Sequence, residues 1–270
     1  MKLLKYPRTR HLEGSRLQAG DLADDKPIAE LRGEPLVFEE KLDGANAALS
    51  FDSAGTLLLQ SRGHFLTGGG RERHFGLFKT WAATHAHLFQ PVLRDRYVMY
   101  GEWLYAKHTV FYDRLPHYFF EFDVLDRQSE RFLDTPARRD LLAGLPVMPV
   151  PVLRSGTIRT LAEVRQMVRP SLYKSTAWRR ALAQAAIASG SRPEMVDRQT
   201  ENSDLAEGLY IKQERGGTVV DRFKFVRADF HQAIQASDGH WQDRPILPNQ
   251  LADGVDIFAP VLGSEGAYDA

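Results

Sequence analysis

Between residues 35 and 62 the chain alternates extended runs with tight turns: PLVFEEK, an Asp-Gly turn, ANAALSF, a DSAG turn, then TLLLQSR. Short loops between such runs read as antiparallel hairpins. The texture returns downstream. RYVMYGEWLY (96–105) and HYFFEFDVLD (117–126) are aromatic-rich strands, and EGLYIKQE (207–214) pairs with VVDRFKFVR (219–227) across Arg215-Gly216-Gly217. Between these runs, Phe75, Phe78, Ala82, His85, Phe89 and Val92 fall three and four apart, one continuous face of a helix over 75–93. His85 lies on that face and reads as a histidine satisfied at the core edge. A helix is expected after Pro136, a strand at 147–153, helical stretches over about 159–199, and a short helix with a Pro-containing tail over 228–270. HFLTGGGRERH (64–74) holds three consecutive glycines and reads as a loop. The pattern predicts one α+β domain over 1–270, with a core at 35–227, a helical insertion and a short C-terminal extension.

Hydrophobic residues make up 43% and charged residues 26% of the chain, the balance of a folded globular domain. No run approaches the roughly 20 apolar residues of a membrane span, and the N-terminus lacks a secretory apolar region. A cytoplasmic protein without membrane contact is the expectation. The sequence has no cysteine, which removes disulfides, cysteine zinc sites and thiol nucleophiles. Its 35 basic and 35 acidic side chains cancel to +0. Nucleic-acid binders usually carry a basic excess, so any polyanion site here must be a local cluster offset by acidic surface elsewhere.

The chemistry begins with EEKLDGAN (39–46). Lys41 ends an apolar strand just before a tight turn, and Gly44 lets the backbone approach a ligand closely. Alone the string is an ordinary hairpin. It is followed in order by Ser61-Arg62-Gly63, Tyr100-Gly101-Glu102, Phe122-Asp123, Glu207-Gly208 with Lys212, and Arg222 with Lys224. The last two alternate on one strand and so share a face, where paired cations call for an anion to meet. No G-x-x-x-x-G-K-[ST] occurs, so a P-loop is not supported. His64, His74, His108 and His117 show no metal-ligand spacing; His108, which follows the Glu102 strand, is the strongest of them as a site residue.

This ordered set resembles the covalent nucleotidyltransferases, which include ATP-dependent DNA ligases, RNA ligases and messenger RNA capping enzymes, over about residues 35–227. Within them it is most similar to the RNA ligase 2-like branch, which carries Asn where Asn46 stands. The other branches usually carry Arg there and append an OB-fold of roughly 100 residues; only 43 residues follow Arg227 here. The resemblance implies a fold of two largely antiparallel sheets around an ATP cleft with outer helices. It implies Lys41 as the nucleophile on the ATP α-phosphorus, Glu40 at the adenine, Phe122 stacked on the base, and Arg62 and Glu102 at the ribose and metal region. Glu102 and Glu207 would hold Mg2+ or Mn2+, Lys212 and Lys224 with Arg222 would meet the AMP phosphate, and Asn46 would act near metal and phosphate. Arg222 departs from the Lys more usual in the branch.

A free lysine, with a pKa near 10.4, is too protonated to attack. Lys224, Arg222 and a divalent ion beside it are expected to lower that value. The implied activity is ATP-dependent joining of RNA 5′-phosphate and 3′-hydroxyl ends through lysyl-AMP, in RNA repair, with an end-healing kinase or phosphatase as a possible partner. A minimal DNA ligase and a non-catalytic nucleotide- or RNA-binding protein are the alternatives. For RNA contact, Arg71 and Arg73 beside the three glycines are the first candidates, and Arg8, Arg10 and Arg16 the next.

Overall fold

The computed structural model describes residues 2–17, 21, 24–230 and 246–260, apart from the Arg71 side chain. In chain order the elements are β1 (Arg10–Leu12), β2 (Asp25–Lys26), β3 (Leu36–Lys41), β4 (Ala45–Phe51), β5 (Leu57–Ser61), α1 (Gly76–Thr84), α2 (Ala86–Leu93), β6 (Tyr97–Trp103) and β7 (Phe119–Asp126). They continue with β8 (Arg131–Leu133), α3 (Thr135–Leu142), β9 (Met148–Pro149), β10 (Val152–Gly156), α4 (Leu161–Met167), α5 (Trp178–Ala188), α6 (Pro193–Arg198), β11 (Gly208–Arg215) and β12 (Thr218–Val226). Three details differ from the sequence reading. The helix expected over 75–93 breaks at His85, the strand expected at 147–153 divides into β9 and β10, and β1, β2 and β8 carry no legible signal. Most of the helix and tail expected over 228–270 lies outside the described residues.

The strands form one hydrogen-bonded path, β10-β3-β11-β12-β8-β7-β6-β4-β5. Pairing along this path is antiparallel throughout; the flanking pairs β1–β12, β1–β2 and β7–β9 are parallel. The two expected sheets are therefore the two halves of a single path, joined where three-residue β8 pairs with both β12 and β7.

Period-two alternation sorts the first half. Leu36 and Phe38, Leu209 and Ile211, and Phe223 and Phe225 point to one side, packing with Val164 of α4 in a dry cluster. Their strand neighbours Glu39 and Lys41, Gly208, Tyr210 and Lys212, and Arg222 and Lys224 point to the other. The register aligns Lys41 with Gly208, and Tyr210 with both Glu39 and Lys224. The second half packs Leu49, Phe51, Met99, Trp103 and Phe119 against Phe78, Trp81 and Phe89 of α1 and α2. Burying each such side chain contributes about 1.5–3 kcal/mol relative to leaving it in water. Between the halves sits a third cluster of Tyr6, Ala48, Val98 and Tyr100, with Phe122, Phe132 and Tyr210 against it.

The helical insertion is tied to the sheet by polar hooks. The Glu40 carboxylate accepts the Ser171 hydroxyl at 2.5 Å and the Leu172 N–H at 3.2 Å. Ser171 N–H in turn donates to Asp204 O, and Ala206 N–H to Arg169 O. Trp178, Leu182 and Ala186 of α5 close over Phe111, Val196 and Leu247 as a separate small core.

Candidate active site

A cleft of about 790 Å3 opens between the two halves, and strand ends from both supply its lining. Lys41 reaches it from the end of β3, Asn46 from β4, Arg62 from just beyond β5, Glu102 from β6, Phe122 from β7, Glu207 from just ahead of β11 and Lys224 from β12. Glu40 lines it as well. Two glycines allow this convergence. A Cβ on Gly44 would stand 2.7 Å from Trp103 O and 2.5 Å from a Leu104 methyl, and one on Gly208 would stand 1.8 Å from Phe225 O. Any side chain there would push apart strands that carry the site.

Lys41 Nζ donates to Glu207 Oε2 at 2.7 Å. Burial is the largest single influence on Lys41 and pulls its pKa down, yet the Glu207, Glu102 and Asp43 carboxylates together outweigh it and hold the value above the ordinary lysine range. Neither Lys224 nor Arg222, the two side chains expected to lower it, is among its main influences. Arg222 is not beside it: its guanidinium lies over the Phe132 ring and 3.6 Å from Asp123. The two carboxyl groups are unsettled for the matching reason. Burial pushes Glu207 up to about 7 and Glu102 up to about 8, Lys41 offsetting part of each shift. Glu102 Oε1 also accepts the Gly44 N–H at 3.0 Å. Opposite Glu102 in the β4–β6 register is Asn46, whose Oδ1 is buried without a hydrogen-bond partner.

Lys212 is likewise not brought into the cleft. Its ammonium is 1% exposed and lies 3.0 Å from Glu39 and 3.3 Å from Asp123, with a further bond to the Phe122 carbonyl. The sequence places Lys212 and Arg222 on the cleft side of their strands, but Tyr6 and Phe122 seal the floor above them. Lys224, one alternation nearer the mouth, lines the cleft and bonds Asp21. Phe122 is held edge-on by Tyr6, ring centres 5.0 Å apart.

Several lining residues had no sequence signal. Tyr6, Pro7 and Thr9 line one side, Tyr6 bonding Asp123 and Tyr210 through its hydroxyl. Asp21 bridges Lys224 and His11. Of the three N-terminal arginines, Arg8 lines the cleft, Arg10 pairs with Asp221 at 2.5 Å, and Arg16 donates to Ala228 O. Asp43, within the EEKLDGAN motif, accepts the Thr109 and Val110 N–H groups at 2.7 Å each and so fixes the loop bearing His108. In the glycine-rich segment, Glu72 accepts the Thr67 and Gly68 N–H groups and pairs with Lys79. The loop expected there is partly helical, since Gly70–Phe75 form a short 3-10 helix; the Arg71 side chain lies outside the described residues.

The donor set suits a hard divalent cation. Mg2+ is typically held by one or two carboxylates together with substrate phosphates and water, and buried Glu207 and half-buried Glu102 are two carboxyl groups whose charge Lys41 only partly offsets. No group of three or more His, Cys, Asp or Glu side chains arranged for a metal occurs among the described residues. No helix among them is long and apolar enough to cross a membrane.

The fold is that of a nucleotidyltransferase domain. A family model described as RNA ligase matches residues 34–226, and the chain belongs to that family. An archaeal ATP-dependent RNA ligase is similar in structure at 18% identity, with 83% of this chain and 48% of that one covered and a TM-score of 0.51. A Naegleria gruberi RNA ligase solved with ATP and Mn is similar at 17% identity, over 82% of this chain and 60% of that one, with a TM-score of 0.48. The chain thus spans about half to three-fifths of these two proteins. No curated protein sequence matches it.

Proposed function

We propose that the chain is an ATP-dependent RNA ligase that joins 5′-phosphate and 3′-hydroxyl RNA ends through AMP carried on Lys41. The observation that supports this reading is the convergence of Lys41 with Asn46, Arg62, Glu102, Phe122, Glu207 and Lys224 from separate strands on one cleft. Phe122 offers a ring for the adenine, with Glu40 and its strand neighbours bordering the base. Lys224 and Arg62 offer cations for phosphate, and Asn46 Oδ1 offers an unspent acceptor beside Glu102. In the reaction the Lys41 amine forms a bond to the α-phosphorus, the bond from that phosphorus to the bridging oxygen breaks, and pyrophosphate leaves with the electron pair. An RNA 5′-phosphate oxygen then displaces Lys41 from phosphorus, and a 3′-hydroxyl finally displaces AMP.

Lys41 must first shed its proton. A divalent cation held by Glu102 and Glu207 would neutralise the carboxylates that keep Lys41 protonated and would offset charge on the phosphates. Burial, already the largest single influence on Lys41, then favours the neutral amine. Glu207 bonds Lys41 whereas Lys224 bonds Asp21, so carboxylate and cation roles stay separate. The Arg71 and Arg73 loop stays a proposed RNA contact. The test is sealing of broken strands with ATP and Mg2+. Nicks with a 3′-hydroxyl RNA strand should be closed and all-DNA nicks left open; sealing of the all-DNA nick alone would replace this reading with a DNA ligase.

A further inference from the structure

The insertion resolves how a chain with no net charge meets a polyanion. Residues 151–200 hold nine basic side chains and three acidic ones, a local charge of +6, so the remainder of the +0 chain carries −6. Eight of the nine are exposed arginines. Arg179 pairs with Asp204 at 3.0 Å and Arg154 stands 3.9 Å from Glu163. The other six, Arg159, Arg165, Arg169, Arg180, Arg192 and Arg198, have no carboxylate partner among the described residues. Within the cleft, Lys41 and Lys224 are each held by a carboxylate.

Helix geometry presents these arginines outward. Val164 is the buried side of α4, which leaves Arg165 exposed, and Trp178, Leu182 and Ala186 are the buried side of α5, which leaves Arg180 exposed. The surface also begins at the cleft. Arg169 O accepts the N–H of Ala206, the residue before Glu207, and Pro170 bridges Leu205. Unpaired surface arginines lose nothing in water, but together they create the positive field that draws in and aligns a phosphate backbone, each guanidinium offering a fork that matches phosphate.

We infer that the helical insertion, from Arg169 through Arg198, is the track on which the phosphate backbone of the RNA strand lies as its end enters the cleft. This rests on the ligase reading, and the two are separable by experiment. A triple variant, Arg169→Ala, Arg180→Ala and Arg198→Ala, is compared with the unsubstituted protein for AMP charging and for binding of a 5′-phosphorylated single-stranded RNA across a salt series. Charging should be unchanged, because none of the three lines the cleft. Each phosphate left without its arginine should flatten the log-affinity against log-salt slope by about 0.7 and weaken binding about fivefold at 0.1 M salt. Unaltered affinity and slope in a variant that charges normally would overturn the track, as would weaker binding with the slope preserved. Absence of charging in the unsubstituted protein would count against the ligase reading alone.

Discussion

Two charged clusters share β3, β11 and β12, one opening on the cleft and one sealed beneath it. In the sealed cluster Arg138, fully buried, lies 2.9 Å from Glu39 and 3.0 Å from Glu121, while Lys212 joins Glu39 to Asp123 and Arg222 adds a third cation. Cations there hold Asp123 below the usual carboxylate range despite its burial, while burial pushes Glu121 up to about 7. In the open cluster one ammonium serves Glu207 and Glu102, both carboxyl groups are pushed up, and Asn46 Oδ1 has no partner. Side chains of the same types, one or two alternations apart, thus build a scaffold in one place and a site short of positive charge in the other.

The largest expected effect separates the two directly. Glu207→Ala should abolish AMP charging while shifting stability by about 1 kcal/mol or less, since its partner Lys41 is 23% exposed and can rehydrate. Charging at the unsubstituted rate, read beside the melting curve, would return Glu207 to the scaffold. Arg138→Ala is the converse: it strands two buried carboxylates and should cost about 3–5 kcal/mol in urea unfolding. A change below about 1 kcal/mol would mean the sealed network is not what joins the sheet halves.

The residues that separate these clusters show how far sequence reading reaches. The strand pattern and the hairpins follow from alternation and turn residues, while Lys41, Glu102, Glu207 and Lys224 were legible as candidates through the family resemblance of their ordered set. Depth was not. Lys212 and Lys224 have the same alternation relative to the cleft, and only the packing of Tyr6 and Phe122 decides that one is sealed off. Tyr6 itself belongs to an N-terminal stretch without periodicity, placed by its hydroxyl bonds to Asp123 and Tyr210. The bond from Asp21 to Lys224 is equally invisible, because nothing local marks which carboxylate a distant lysine will meet.

Between Glu39 and Lys41 in sequence, on the opposite face of β3, lies Glu40, whose carboxyl burial pushes up to about 7 from 4.5. The folded state therefore keeps this proton to higher pH than the unfolded chain does. Its contribution is fully present below the unfolded value and is lost as pH rises through about 7, a change on the order of 3 kcal/mol. Glu40→Gln, neutral at every pH, should flatten the stability profile between pH 4.5 and 7.5; an identical slope would show that Glu40 is not the titrating group. The smallest effect concerns the boundary ring. Phe122→Ala should raise the ATP concentration needed for charging by the roughly 1–3 kcal/mol that stacking provides, with Phe122→Trp milder. An unchanged ATP titration would make Phe122 a core residue only.

The central claim is that Lys41 carries the nucleotide. Protein incubated with Mg2+ and ATP labelled at the α-phosphorus should retain the label in an acid-labile bond, and peptide mapping should place it on Lys41. Label at the γ-phosphorus should not be retained, and Lys41→Ala should retain neither. Retention of α-label by Lys41→Ala at the unsubstituted level, or label mapped to another residue, would contradict the account.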